Sequence, residues 1–180
     1  MLLTPTPFSG LYLIKTRVFA DQRGYFFEAW NEKQWSDAGI PTAFVQDNQS
    51  GSVANVVRGL HFQVPPHAQA KLVRVVRGAV LDVVVDLRKG EPTYGQHFSA
   101  ELSETNHFML YIPEGFAHGF RTLEDDTVFF YKCSRYYNRG SERSIRWNDP
   151  ELGIDWGTDT PILSEKDKEA MLFRDFDSPF

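Results

Sequence analysis

Seven short runs rich in Val, Ile, Phe and Tyr constrain this chain more than any other feature of its sequence. They are Leu11–Phe19, Ala43–Gln49, Val56–Phe62, Leu72–Arg77, Val80–Leu87, Phe108–Ile112 and Thr127–Cys133. Turn-forming residues stand between them: Asp21-Gln22-Arg23-Gly24, Arg77-Gly78, Lys89-Gly90-Glu91-Pro92, Pro113-Glu114-Gly115 and Asn138-Arg139-Gly140. β-Branched and aromatic side chains suit a pleated, half-buried surface, and Gly and Pro end strands, so the pattern predicts many short strands joined by turns. The expected class is mainly β, an antiparallel sandwich or barrel. Helix is scarce. Asn31–Gly39 opens on a capping residue and closes on a glycine, which predicts one short helix. Ser164–Leu172 carries a weak capping box, with Asp167 in place of the usual Glu or Gln. No linker, repeat or low-complexity tract divides residues 1–180, which therefore read as one domain.

Charge and cysteine content then exclude function classes. With 19 Lys+Arg against 24 Asp+Glu the formal net charge is −5, a poor basis for sequence-independent nucleic-acid binding. The single Cys133 cannot form an internal disulfide, which favours a reducing compartment. The chain opens on no leader-like segment and has no apolar run near the ~20 residues of a membrane span. A soluble, cytoplasmic protein is expected. The aromatic share of 14% is enough to line a pocket as well as to fill a core.

Four residues on or near the strand-like runs have the chemistry to move a proton beside a carbonyl: His61, Lys71, Tyr131 and Asp167. Each also has a plain structural reading. A lone histidine in an apolar run is more often packed than catalytic, a lysine at a strand mouth usually reaches water, and a strand tyrosine is ordinarily a core ring. An aspartate early in a helix normally complements the dipole. Arg58 lies three residues from His61, so a regular strand puts the two on opposite faces; a bulge at Gly59 would turn both to one cavity. Cys133 shares a face with Tyr131 and Phe129 and reads as packing. The five histidines include no H-x-H pair, and no carboxylate follows His61 at a short ligand spacing, so a metal site is not expected.

Taken together, the motifs resemble a known family. The runs DQRGYFFEAWN (21–31), FVQDNQS (44–50), RGLHFQ (58–63), KLVRVVRGAVLDVVVDLR (71–88), IPEGFAHGF (112–120), YKCSRYYN (131–138), SERSIRWNDPELGIDW (141–156) and LSEKD (163–167) are similar to those of the dTDP-4-dehydrorhamnose 3,5-epimerases, metal-free members of the cupin superfamily. The resemblance covers nearly the whole length. It implies a cupin-type antiparallel β-barrel or jelly roll with a few short peripheral helices, no cofactor, and a homodimer whose subunits exchange strands and nucleotide contacts. It also implies that His61 is the base, Asp167 its partner, Tyr131 the acid on the other face and Lys71 the cation near the C4 oxygen. Substrate contacts are implied for Arg23, Phe26, Glu28, Gln46, Asn48, Arg58, His118, Glu142 and Lys166. The sequence departs from the family pattern at Gln49, where histidine is usual, and in Gly51-Ser52-Val53-Ala54-Asn55, which lacks a basic residue and a glycine common there.

The implied reaction suits the inventory. A 4-ketone on a dTDP-linked 6-deoxy sugar acidifies the C–H bonds at C3 and C5, and an unperturbed histidine, titrating near about 6.5, is a neutral base at cellular pH. Lys71, with His118 as a neutral donor, would hold the enolate charge. Arg23 and Arg58 are suited to the diphosphate, and Phe26 to the thymine. Two other readings stay open: a relative that inverts one carbon or shifts the ketone, and a non-catalytic nucleotide-sugar-binding cupin.

Overall fold

A computed structural model describes residues 1–40 and 43–180. Its strands are β1 (Leu2–Pro5), β2 (Tyr12–Lys15), β3 (Phe19–Asp21), β4 (Gly24–Phe26), β5 (Gln46–Ser52), β6 (Val57–Gln63), β7 (Lys71–Arg77), β8 (Ala79–Asp86), β9 (His97–Ser103), β10 (Phe108–Ile112), β11 (Phe116–Thr122), β12 (Thr127–Cys133) and β13 (Glu142–Ser144). Helix is confined to α1 (Glu32–Asp37), α2 (Glu165–Lys168) and a 3-10 turn at Phe173–Asp175. One sheet has the order β1-β2-β10-β7-β12-β5 and the other β13-β6-β11-β8-β9, with β3 and β4 forming a separate hairpin. From β5 to β8 and again from β9 to β13 the chain alternates between the two sheets, the crossing pattern of a jelly roll. The expected cupin-type, mainly β class is borne out.

Apolar alternation sets the layers. Val73 and Val75 from β7, Leu110 and Ile112 from β10 and Phe129 from β12 meet Val80 and Val84 from β8, Leu102 from β9 and Phe116 and Phe120 from β11 between the sheets. The opposite face of the first sheet is covered in part by Trp35 of α1 and by Ile40, against Ile14, Leu72 and Met109. The far face of the second sheet, with Val83, Val85 and Ala117, lies beneath Leu152, Trp156, Phe176 and Phe180 from the C-terminal segment. Burial on both faces explains why β8 is an almost unbroken apolar run rather than an alternating one.

The sequence runs at 108–112 and 127–133 match their strands to the residue, and those at 56–62, 72–77 and 80–87 do so within one. Two differ. Leu11–Phe19 holds only β2 and the start of β3, and the strand expected at Ala43–Gln49 lies at Gln46–Ser52. That strand pairs along its whole length with β12, so hydrogen bonding rather than apolar content defines it. β1, β4, β9, β11 and β13 lie outside the expected runs; in β11 His118 and Gly119 interrupt the apolar pattern. The helix expected at Asn31–Gly39 is present as α1, capped by Asn31, whereas Ser164–Leu172 forms only the single turn of α2.

β6 and β11 carry the feature that aims the site. Their register runs from His61 opposite His118 to Arg58 opposite Phe120, three residues on β6 against two on β11. This is the bulge anticipated at Gly59, whose φ of +138° favours glycine. The strands are close enough that a Cβ on Gly119 would stand 2.8 Å from the Arg58 carbonyl oxygen. Gly119→Ala must therefore push backbone against backbone. We expect it to destabilise the protein by about 1–3 kcal/mol, read as a lower urea midpoint with an unchanged β-type circular dichroism spectrum.

Candidate active site

A cavity of ≈ 640 Å³ opens between the sheets at one end of the barrel. The first sheet contributes Gln46, Asn48, Lys71, Tyr131 and Cys133, and the second Arg58, His61, His118, Phe120 and Glu142. Ile162, Leu163, Ser164 and Asp167 close one side. Because of the bulge, Arg58 and His61 both line this cavity. Arg58 is held from below, donating to the Ser52 hydroxyl at 3.1–3.2 Å and to the Gly51 carbonyl at 3.4 Å.

His61 and Asp167 are separated by 106 positions in the chain, yet their Nε2 and Oδ1 atoms are 2.5 Å apart. The tail reaches β6 through backbone pairing: Val57 donates to the Ile162 carbonyl and Ile162 to that of Asn55, making a parallel bridge between Val56 and Ile162. Five residues further along both chains stand His61 and Asp167. Ser164 caps α2 by accepting from the Asp167 amide, while its hydroxyl donates to Asp167 Oδ2 at 2.9 Å. Both carboxylate oxygens are thus bonded. Burial disfavours the Asp167 charge, but the bonds from His61 and Ser164 and the His61 charge prevail and hold the carboxyl below the usual range. His61 itself keeps an open side, its side chain 32% exposed.

The opposite wall is set up differently. Tyr131 lies on β12 between Asn48 and Val73, and burial raises its phenol above the ordinary value, so it stays protonated. Lys71 is buried and donates to the His61 carbonyl at 3.2 Å, and desolvation lowers its pKa. Cys133 accepts from Asn48 at 3.5 Å, and burial pushes its thiol up. On the second sheet His118, beside His61 in the ladder, contacts Asp82 Oδ2 through Nε2 at 2.9 Å. Burial lowers the His118 pKa and raises that of Asp82. Among the described residues no group of three or more His, Cys, Asp or Glu side chains is placed to hold a metal ion.

Of the nine residues for which the resemblance implied substrate contacts, Gln46, Asn48, Arg58, His118 and Glu142 line the cavity. Lys166 sits beside it, paired with Glu142 at 2.5 Å. Arg23, Phe26 and Glu28 do not line it. Arg23 and Phe26 belong to the exposed β3–β4 hairpin, where Arg23 pairs with Asp21, and Glu28 accepts from Asn31 and Gln34 at the start of α1. The sequence reading missed Asp82 and Tyr137. Asp82 had a signal, since it shares a strand face with Val80 and Val84; Tyr137, donating to Glu142 at 3.0 Å, had none. The departures leave the cavity intact. Gln49 lines it, Ser52 holds Arg58, and Asn55 takes the left-handed φ of 63° that asparagine tolerates better than most residues.

A family model described as dTDP-4-dehydrorhamnose 3,5-epimerase matches residues 5–175. The Pseudomonas aeruginosa protein of that name is 48% identical over 179 residues, 98% of each chain. A dTDP-4-dehydrorhamnose 3-epimerase of Streptomyces niveus is 42% identical over 173 residues, 96% of this chain and 84% of its own. The crystal structure of the Legionella pneumophila dTDP-6-deoxy-D-glucose-3,5-epimerase with dTDP-4-keto-L-rhamnose superposes with a TM-score of 0.94 at 43% identity, covering 98% of this chain and 94% of that one.

The depressed Asp167 pKa has a consequence for stability. A carboxyl that ionises more readily folded than unfolded stabilises fully above its unfolded value of 3.8, and loses that contribution as pH falls through the lower folded value. The difference in unfolding free energy between wild type and Asp167→Asn should therefore shrink progressively as pH falls below 3.8. Paired urea titrations across that range check it.

Proposed function

The chain belongs to the dTDP-4-dehydrorhamnose 3,5-epimerase family, and from that premise we propose how its cavity works. The enzyme is an isomerase acting on a dTDP-keto sugar. It converts dTDP-4-dehydro-6-deoxy-D-glucose to dTDP-4-dehydro-L-rhamnose in dTDP-L-rhamnose biosynthesis. The observation that carries the mechanism is the placement of a His61–Asp167 pair and Tyr131 on facing sheets across one cavity.

Neutral His61 takes the proton from C5 or C3, and the buried Asp167 carboxylate stabilises the imidazolium that forms. Charge moves to the C4 oxygen, where Lys71 and His118 meet it. Tyr131, protonated because it is buried, delivers a proton to the opposite face and inverts the centre. Arg58 and Lys166 hold the diphosphate, and Gln46, Asn48 and Glu142 orient the nucleotide and sugar.

Arg23, Phe26 and Glu28 serve a second cavity in this reading. The hairpin turns Phe19 and Phe26 outward, 51% and 65% exposed, away from the cavity of its own chain. A homodimer in which each hairpin completes the neighbour's nucleotide site accounts for this apolar exposure. Residues 1–180 act as one catalytic domain, and the unpaired, buried Cys133 favours the reducing cytoplasm. A single-site 3-epimerase is the second reading, supported by the Streptomyces niveus relative.

Proton NMR of the substrate incubated in D2O distinguishes them: deuterium at both C3 and C5 is expected, and exchange at one carbon only would move the chain to the single-site class. His61→Ala should abolish turnover while dTDP binding changes by less than about threefold. Tyr131→Phe should still exchange protons for deuterium on the His61 face while forming almost no inverted product. Net inversion by that variant would remove Tyr131 from the acid role.

A further inference from the structure

Asp82 is the one fully buried acid at this site with an unsatisfied oxygen. It stands on β8 facing the sheet interface, 0% exposed, with Oδ2 2.9 Å from His118 Nε2. Its Oδ1 is buried without any hydrogen-bond partner. An ionised carboxylate oxygen in that position forgoes hydration and gains no donor, whereas the carbonyl oxygen of a neutral acid loses far less. The titratable groups that act on the pair from neighbouring strands are Lys71 on β7 and His61 on β6; the Lys71 charge opposes an imidazolium at His118 and also draws on the Asp82 anion, an attraction that burial of Asp82 outweighs. Glu142 on β13 and Cys133 on β12 act on Lys71 in turn. Ionised Asp82 with charged His118 is thus disfavoured on both sides.

Two states of the pair then remain, differing in whether it holds one proton or two. If Asp82 is ionised and accepts from Nε2, neutral His118 presents a lone pair at Nδ1, which repels an enolate. If Asp82 keeps its proton and donates to Nε2, the ring proton is on Nδ1. That nitrogen has no partner among the described residues, and His118 lines the cavity beside Lys71. We propose that Asp82 is a neutral carboxylic acid whose O–H donates to His118 Nε2, fixing the tautomer in which Nδ1–H points its proton at the oxyanion formed on the substrate's C4 oxygen. Asp82 is then a positioning residue, acting on substrate through a neutral imidazole donor. Burial pushes both groups in the direction this state needs, Asp82 up and His118 down. The inference rests on the epimerase reading for the identity of the oxyanion and not for the state of the pair.

Infrared and ring-¹⁵N spectroscopy of the resting enzyme at neutral pH test it. A protonated-carboxyl C=O band that disappears in Asp82→Asn is expected, with His118 Nδ1 protonated and Nε2 unprotonated. Absence of that band, or a proton on Nε2, overturns the proposal. In turnover, Asp82→Leu should lower kcat by about a hundredfold with KM within about twofold, and Asp82→Asn, whose amide can donate to Nε2, should recover about tenfold of the loss. Equal losses in the two variants, or none in Asp82→Leu, also overturn it. Should Asp82→Leu fail to fold, the spectra decide alone. Failure of the epimerase reading is separate, because it is seen as missing deuterium exchange by wild type and leaves the spectra unchanged.

Discussion

Apolar packing between the two sheets decides where the polar groups of the site can stand. Phe129, Leu110 and Val73 on one side and Val84, Leu102 and Phe120 on the other exclude water from the middle of the barrel. Polar side chains on inner faces are costly unless they are hydrogen-bonded. Lys71 is bonded to a backbone carbonyl, His118 to Asp82 and Asp167 to His61 and Ser164. The cavity is the place where the core stops, and its chemistry consists of the groups that bridge core and water.

Two histidine–aspartate pairs on adjoining strands illustrate how environment separates roles. His61 and His118 are direct ladder partners. His61 keeps an open side and a carboxylate whose oxygens are both bonded, which suits a group that must accept a proton and become charged. His118 is sealed, and its aspartate has one oxygen without a donor, which suits a group that stays neutral and donates. The side-chain types are the same; solvent access and hydrogen-bond count differ.

The hairpin of β3 and β4 stands apart from the two sheets, although Tyr25 packs against Phe27 and His107. Among the described residues it pairs only with itself, exposes aromatic rings, and carries two of the residues whose motif otherwise points to nucleotide binding.

The sequence by itself determined the mainly β class, because β-branched and aromatic runs between turn residues have few other ways to bury themselves; 108–112 and 127–133 are legible to the residue. It also made His61, Lys71 and Tyr131 visible as polar groups on apolar strands, and Gly59 as a place where β6 could bulge. Local pattern failed where a strand is defined by its partner, as with polar β5, or where glycine and histidine interrupt it, as in β11. Asp167 gave only a capping signal, since nothing within α2 tells that Ile162 pairs with Val56 and carries the carboxylate to a histidine 106 residues away. Asp82 offered an acid in an apolar run and no hint of its partner. Those contacts were decided by the tertiary structure, for the physical reason that burial and hydrogen bonding at a site depend on which strands meet, and strand meeting is long-range.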